Sequence, residues 1–397
     1  MISVCIIAKN EEKWIAECVS HLKPLATEII VGDTGSTDRT VPLARDAGAR
    51  VFEMEWEEDF AKARNRTIHE AREPWIFSFD ADERISNRDL LKFTQTIEQI
   101  HPQSDIEAIR IHRRNYIANP LLSGFVPCAG DYPEEKMYAG YYKEQMIRIF
   151  RNLPHIRWQG KVHELIDRSL KGKTYESNLT FHHFGYLPEE ESRRGKTRLY
   201  QEIGKKKLED DPNNWKARYD LGSEYIQGGE IEKAILELEK AHTLNPREPM
   251  ILSNWGYAVM ESGDFAKSEK ILRECLVMDS NNHDGLLNLG VNFMRQNRNE
   301  DAVKTLETLV AHHAQSFLGF RNLGLCYIQL REFSKALNRL QIALQIFPQY
   351  SDAKLDLAAV HFILGRKDMA AAQVKEVQNL EPENQRAFEM QKQIGES

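Results

Sequence analysis

Residues 76–86 read IFSFDADERIS, where apolar Ile76, Phe77 and Phe79 are followed within four positions by Asp80, Asp82 and Glu83. Carboxylates crowded at the end of an apolar strand repel one another unless water, a cation or a partner compensates. Asp80 and Asp82, one residue apart, have the type and spacing to contact a hard divalent cation directly or through water. Mg²⁺ and Mn²⁺ both take oxygen ligands and complete their shell with substrate phosphates. A cation there would neutralise the charge that builds on a departing diphosphate. An Asp-x-Asp triplet taken alone is usually a solvated loop, so its place after a buried strand carries the weight. Arg64 is the second chemical candidate: its planar fork suits phosphate oxygens, the plain alternative being a surface ion pair.

Positioning such groups needs a sheet. Apolar runs at 3–8, 28–31, 49–52 and 75–79 read as strands, separated by helical stretches such as 11–21 and 38–47. The alternation predicts a parallel α/β sheet covered by helices. Ser36, Thr37 and Asp38 are N-cap candidates for the second helix, and Pro42 sits in its first turn, where proline is tolerated. With right-handed crossovers, ligands bind beyond the carboxyl ends of the strands. Three polar loops are expected to meet there: AKNEE after the first strand, GDTGSTD after the second and DADE after the fourth.

From Trp215 onward the chain repeats every 34 residues. Leu221-Gly222, Trp255-Gly256, Leu289-Gly290, Leu323-Gly324 and Leu357-Ala358 recur in register, followed twelve positions later by Ala234, Ser268, Ala302, Ala336 and Ala370. Pro246, Pro348 and Pro382 close three of the repeats. This is the tetratricopeptide pattern, an all-α solenoid of helix pairs whose small residues permit close helix contact. The expected organisation is an α/β domain at 1–189, a helical linker or half-repeat at 190–214 ending near Pro212, five repeats at 215–384 and a capping helix at 385–397. Such an array holds an extended peptide or protein partner; its aromatic and leucine positions read as packing, and His312 and His313 as a solvated helix end.

The 397 residues carry 53 Lys+Arg against 60 Asp+Glu, a net charge of −7, which disfavours broad affinity for nucleic acid or anionic membrane. Five scattered cysteines without a C-x-x-C pair argue against a disulfide framework or a zinc site and suit a reducing compartment. No apolar run approaches the roughly 18 residues a spanning helix needs, so no transmembrane segment and a cytoplasmic location are expected. A homodimer is compatible with the sequence.

Residues 1 to about 100 resemble a family 2 glycosyltransferase of the GT-A (Rossmann-like) fold through SVCIIAKNEE, EIIVGDTGSTDRTVPLARDAGA, DFAKARNRTIHEA and WIFSFDADE. The order of WQGKVHELI, FHHFGY, a basic helix and then repeats resembles the subgroup that includes the sublancin S-glycosyltransferase, which glucosylates a peptide cysteine. The resemblance implies a nucleotide-sugar donor, usually with uracil, bound through Ala8, Asn10, Glu11, Asp33 and Arg64, with Asp80 and Ala81 at the ribose. It implies Mn²⁺ or Mg²⁺ on Asp82 and Asp80, with His183 as a third ligand; His182, pointing to the opposite strand face, is a weaker substitute. It also implies inversion at the anomeric carbon, for which Glu164, beside His163, is the candidate general base, with Asp131, Glu134 and Glu135 as alternatives. A thiolate acceptor would lessen the need for a base. The expected function is metal-dependent sugar transfer to a peptide or protein side chain presented by the repeats, which raises its effective concentration. Transfer to a polysaccharide or lipid-linked acceptor, and a non-enzymatic adaptor with a decayed front domain, are the two alternatives. A nucleotidyltransferase is disfavoured because AKNEE stands where a Gly-rich phosphate loop belongs.

Overall fold

The structure is a computed structural model that describes residues 1–117, 120, 124–160, 164–184, 201–202 and 204–396. Two compact units divide it, Met1–Glu189 and Glu190–Ser397.

The first unit is built on one mixed sheet. Strands β1 (Ile2–Ala8), β2 (Glu28–Asp33), β3 (Arg50–Glu53) and β4 (Trp75–Phe79) pair in parallel in the order β3-β2-β1-β4. The expected parallel sheet stops there. Beyond β4 the sheet continues through β8 (Gly140–Arg151), β6 (Ile106–Ile117), β9 (Lys173–His183) and β5 (Glu83–Ile85). In this half β8 runs antiparallel to both β4 and β6, β9 is parallel to β6, and β5 is antiparallel to β9. The short β7 (Phe125–Pro127), within the insertion-like segment, pairs with β8. Long strands such as IHRRNYI mix charges into an apolar pattern, which hides them from a reading by hydropathy period.

Both faces of the central strands β1 and β4 are covered, so these are buried almost throughout, whereas the edge strand β3 is part-exposed. Trp75, Phe77 and Phe79 pack on one face with Ile15, Val19, Phe93 and Phe181, while Ile76 packs on the other with Ala61, Ile68 and Phe150. Helix α1 (Ile15–Leu22) starts later than the expected 11–21, because 11–14 form the turn leading into it. Helix α2 (Thr40–Asp46) is preceded by Arg39 with no side-chain cap; Asp38, one of the expected caps, instead accepts from the Thr40 N–H at 2.9 Å. Helix α3 (Phe60–His69) is capped by Asp59, whose carboxylate accepts from the Lys62 N–H at 2.9 Å. It lies so close to β2 that a Cβ on Gly32 would fall 2.5 Å from Thr67 Oγ1. Helix α4 (Leu90–Ile100) completes the set.

The second unit holds five helix pairs between Trp215 and Leu380, followed by the helix Gln385–Glu396. Each repeat's first helix touches its second through the glycine of the Leu-Gly pair. A Cβ on Gly222, Gly256, Gly290 or Gly324 would meet Leu238, Leu272, Leu306 or Leu340 at 2.5–2.7 Å. The fifth repeat resolves the same contact differently: Ala358 replaces the glycine and Val374 replaces the leucine, both fully packed in one cluster. The methyl added on one helix is offset by the carbon removed from the other. Pro246, Pro348 and Pro382 each lie two residues past a helix that ends at Leu244, Ile346 or Leu380. Burial, reinforced by Asp220, pushes the Glu224 carboxyl up to about 7.

Two outcomes are expected. Gly290→Ala should destabilise the repeat unit by about 1–3 kcal/mol through overpacking, despite alanine's better helix propensity, and adding Leu306→Val should restore most of the loss in thermal melts. Because the Glu224 pKa is raised on folding, its contribution to stability is fully present below the unfolded value near 4.5 and is lost as pH rises to about 7. Glu224→Gln should therefore raise the melting temperature at pH 8 and leave it nearly unchanged at pH 4.5.

Candidate active site

The parallel strands β1, β2 and β4 end together, with Ala8 opposite Asp33 and Ile6 opposite Phe79, so the three polar loops converge as expected. The first two are laced to each other. The Asn10 N–H donates to Ser36 Oγ (2.9 Å), Asn10 Oδ1 accepts from the Thr37 N–H (2.8 Å) and the Glu11 N–H donates to Thr40 Oγ1 (2.7 Å). Asn10 holds a left-handed backbone (φ 58°), a conformation asparagine tolerates better than most residues. The Ala8 carbonyl accepts from both the N–H and the hydroxyl of Thr34. Asp33 accepts from the N–H groups of Gly35 and Ser36 and from Ser36 Oγ, which shapes the loop around it. Beside it lies a cavity of about 470 Å³ lined by Asp33, Ser36, Asp38, Val41, Glu53 and Met54 among others, large enough for a nucleoside.

At the end of β4 the two aspartates part company. Asp80 is gripped by two arginines, at 2.8 Å from Arg64 Nη2 and 2.6 Å from Arg148 Nη2. Burial alone would raise its carboxyl, but the guanidiniums of Arg148, Arg64 and Arg113 outweigh that and hold it well below the usual carboxylate range. Arg64 is 8% exposed and also donates to Ser78 Oγ (3.0 Å) and, through Nε, to Glu164 (2.6 Å). It is thus neither a surface ion pair nor an open phosphate fork; it ties α3, β4 and Glu164 together. His163 lies outside the described residues.

Asp82 turns toward His183, with Oδ2 3.3 Å from Nε2. The other imidazole nitrogen, Nδ1, lies 2.8 Å from Asn115 Oδ1. The Asn115 amide group donates to Glu144 at 3.2 Å, which fixes the oxygen toward the histidine. Nδ1 therefore carries a proton, and Nε2 is the nitrogen turned to the Asp82 side, where a metal could take it. Ala81 is buried, and its carbonyl accepts from Arg84 Nη1 at 3.1 Å. His182 faces the other way: its Nδ1 is 2.7 Å from the Tyr116 hydroxyl, and burial first, then Arg114, pushes its pKa down to about 3.

The sequence reading gave several members of this site no role of their own. Glu83, fully buried, accepts from Arg113 (3.1 Å), lies 3.4 Å from Arg148 and takes the Asp80 N–H (3.0 Å). Arg113 in turn pairs with Glu144 at 2.7 Å, and it outweighs the effect of burial to keep that carboxyl below its ordinary range. The available signal was a charge inside an apolar strand: Arg148 stands between Ile147 and Ile149, and Arg113 and Asn115 alternate on β6. Pairing alone brings them in, with Arg113 opposite Glu144 and Asn115 opposite His183.

Comparison with known proteins identifies what the two units are similar to. Residues 3–160 match the model of glycosyl transferase family 2, and residues 216–248, 287–337 and 321–382 match tetratricopeptide models. The SPbeta prophage-derived glycosyltransferase SunS of Bacillus subtilis is 30% identical over 60% of this chain and 53% of its own. A TPR repeat-containing protein of Synechococcus elongatus is 29% identical over 63% and 58%, respectively. The lipopolysaccharide core biosynthesis glycosyltransferase LpsC of Rhizobium meliloti is 34% identical over 45% and 58%. The chain thus spans little more than half the length of these curated relatives. In its first unit it belongs to glycosyl transferase family 2, and in its second it is an array of tetratricopeptide repeats.

Proposed function

We propose that the protein is a metal-dependent, inverting glycosyltransferase that moves a sugar from a UDP-sugar to a peptide or protein side chain presented by the repeats. The observation that carries the metal is the Asp82–His183 pair with its tautomer fixed through Asn115 and Glu144. A carboxylate oxygen beside an imidazole nitrogen suits Mn²⁺ better than Mg²⁺, which prefers oxygen alone.

When bound, the ion supplies Lewis-acid neutralisation of the diphosphate leaving group. The chain's own residues do the rest. Asp33 and Ser36 line the nucleoside cavity, and the Asn10 N–H ties the first loop, with Ala8 and Glu11, to Ser36. Asp80, held ionised, and Ala81 are assigned to the ribose. Arg64 and Arg148 fix that carboxylate in place, and Glu164 orients Arg64. The peptide acceptor is supported by the repeats, since a tethered recognition array raises local acceptor concentration. A second reading, transfer to an envelope polysaccharide, is favoured by the relative named for lipopolysaccharide core biosynthesis.

Melting curves with UDP, GDP and CDP, each with and without Mn²⁺, check the donor site. UDP with Mn²⁺ at 100 times its Kd should stabilise the folded state by about 2.7 kcal/mol, a rise of a few degrees. Asp82→Ala and His183→Ala should each abolish the metal-dependent part. Equal shifts in wild type and both variants would remove the metal assignment.

A further inference from the structure

We propose that Glu134 is the base that receives the acceptor's proton, and that the pocket it lines seats the acceptor's nucleophilic side chain; this rests on the transferase reading above. Trp14, Glu17, Arg84, Asn87, Glu134, Tyr138 and Phe184 line a cavity of about 260 Å³, room for one side chain; Glu17, the other carboxylate there, is paired with Arg84 at 3.1 Å. Its wall is tied to the turn that carries the two aspartates. Arg84 Nη1 donates to the Ala81 carbonyl at 3.1 Å, and the Phe184 N–H donates to the Asp82 carbonyl at 3.1 Å. The pocket therefore adjoins the turn that presents Asp82.

The carboxylates available as base differ in what already holds them. Glu164 accepts from Arg64 Nε at 2.6 Å. Glu135 is buried against Arg114 and takes the N–H groups of Gly130 (2.7 Å) and Asp131 (3.1 Å). Asp131 is exposed and lies 3.5 Å from Arg114. Ionic and N–H partners of this kind occupy the oxygens that would have to take an acceptor's proton. Glu134 differs from them: its Oε2 is buried and has no hydrogen-bond partner among the described residues. The 3₁₀ turn Pro133–Met137 presents it, and Arg114, through Glu135 and a cation–π contact with Tyr132, holds that turn to β6. A base must lie within hydrogen-bond reach of the proton it takes, and of these four carboxylates Glu134 is the one that lines the pocket.

The step balances simply. An acceptor oxygen lone pair forms the bond to the anomeric carbon, the bond from that carbon to the diphosphate oxygen breaks with its electrons staying on the diphosphate, and the hydroxyl proton passes to Glu134. A thiolate acceptor has already lost its proton and would bypass the residue.

Water and 2-mercaptoethanol serve as probe acceptors, with UDP release measured from UDP-sugars in Mn²⁺. Glu134→Gln should keep the wild-type melting temperature and the UDP–Mn²⁺ shift. It should lose about 10²–10⁴-fold in kcat toward water, together with the acid limb of the pH profile. At pH 9.5, transfer to the thiolate should stay within a few-fold of wild type, and Glu134→Asp should recover part of the water reaction. Wild-type kcat toward water in Glu134→Gln, or equal loss toward water and thiolate, overturns the assignment while leaving the transferase reading in place. A wild-type protein that shows no UDP-dependent shift removes the transferase reading itself.

Discussion

A chain of alternating charges at the end of β4, buried at its centre, is the constraint on which the first unit is arranged. It runs from Glu164 through Arg64, Asp80, Arg148, Glu83 and Arg113 to Glu144. Glu83, fully buried, could not lie there alone, and removing one partner from such a buried pair typically costs about 3–5 kcal/mol because the other charge is left uncompensated. Each link joins different elements: α3 and β4 through Arg64, β4 and β8 through Arg148, β8 and β6 through Arg113 and Glu144. The antiparallel strands therefore act as more than an extension of the sheet. They deliver the cations that let an acidic turn sit on a dry strand end.

That arrangement divides the work between two adjacent aspartates. Asp80 is spent on two arginines and held ionised, so its position is rigid. Asp82, one turn of the chain further on, is left to face His183, whose orientation is set by Asn115 and, behind it, Glu144. The same network thus anchors one carboxylate and orients the partner of the other. A metal ligand whose second nitrogen is bonded in this way gains a fixed tautomer and ring angle.

The repeats solve a simpler problem by a simpler rule. In four helix pairs one glycine admits one leucine from across the pair, and the fifth pair substitutes alanine and valine at the same total size. Tolerance of that exchange shows that the contact is governed by combined volume rather than by residue identity. Regular packing of this kind gives a solenoid whose outward positions are released for recognition, which suits a domain attached to a transferase.

Where local pattern and physics coincide, the sequence alone determined the outcome. The 34-residue period dictated helix pairs because no other structure repeats small residues at that spacing, and apolar runs ending in polar loops dictated the parallel strands and the meeting of AKNEE, GDTGSTD and DADE. Strand alternation also set His182 and His183 on opposite faces, and the structure buries His182 against Tyr116 and turns His183 toward Asp82. Tertiary structure decided the rest. That Asp80 belongs to arginines and Asp82 to a histidine depends on β6, β8 and β9 lying side by side, a register between residues some 30 to 70 positions apart that no local pattern encodes. For the same reason the sequence drew no attention to Arg148, and Glu134 stood as one acid among several. A side chain's role in a buried network is fixed by which groups the fold sets against it.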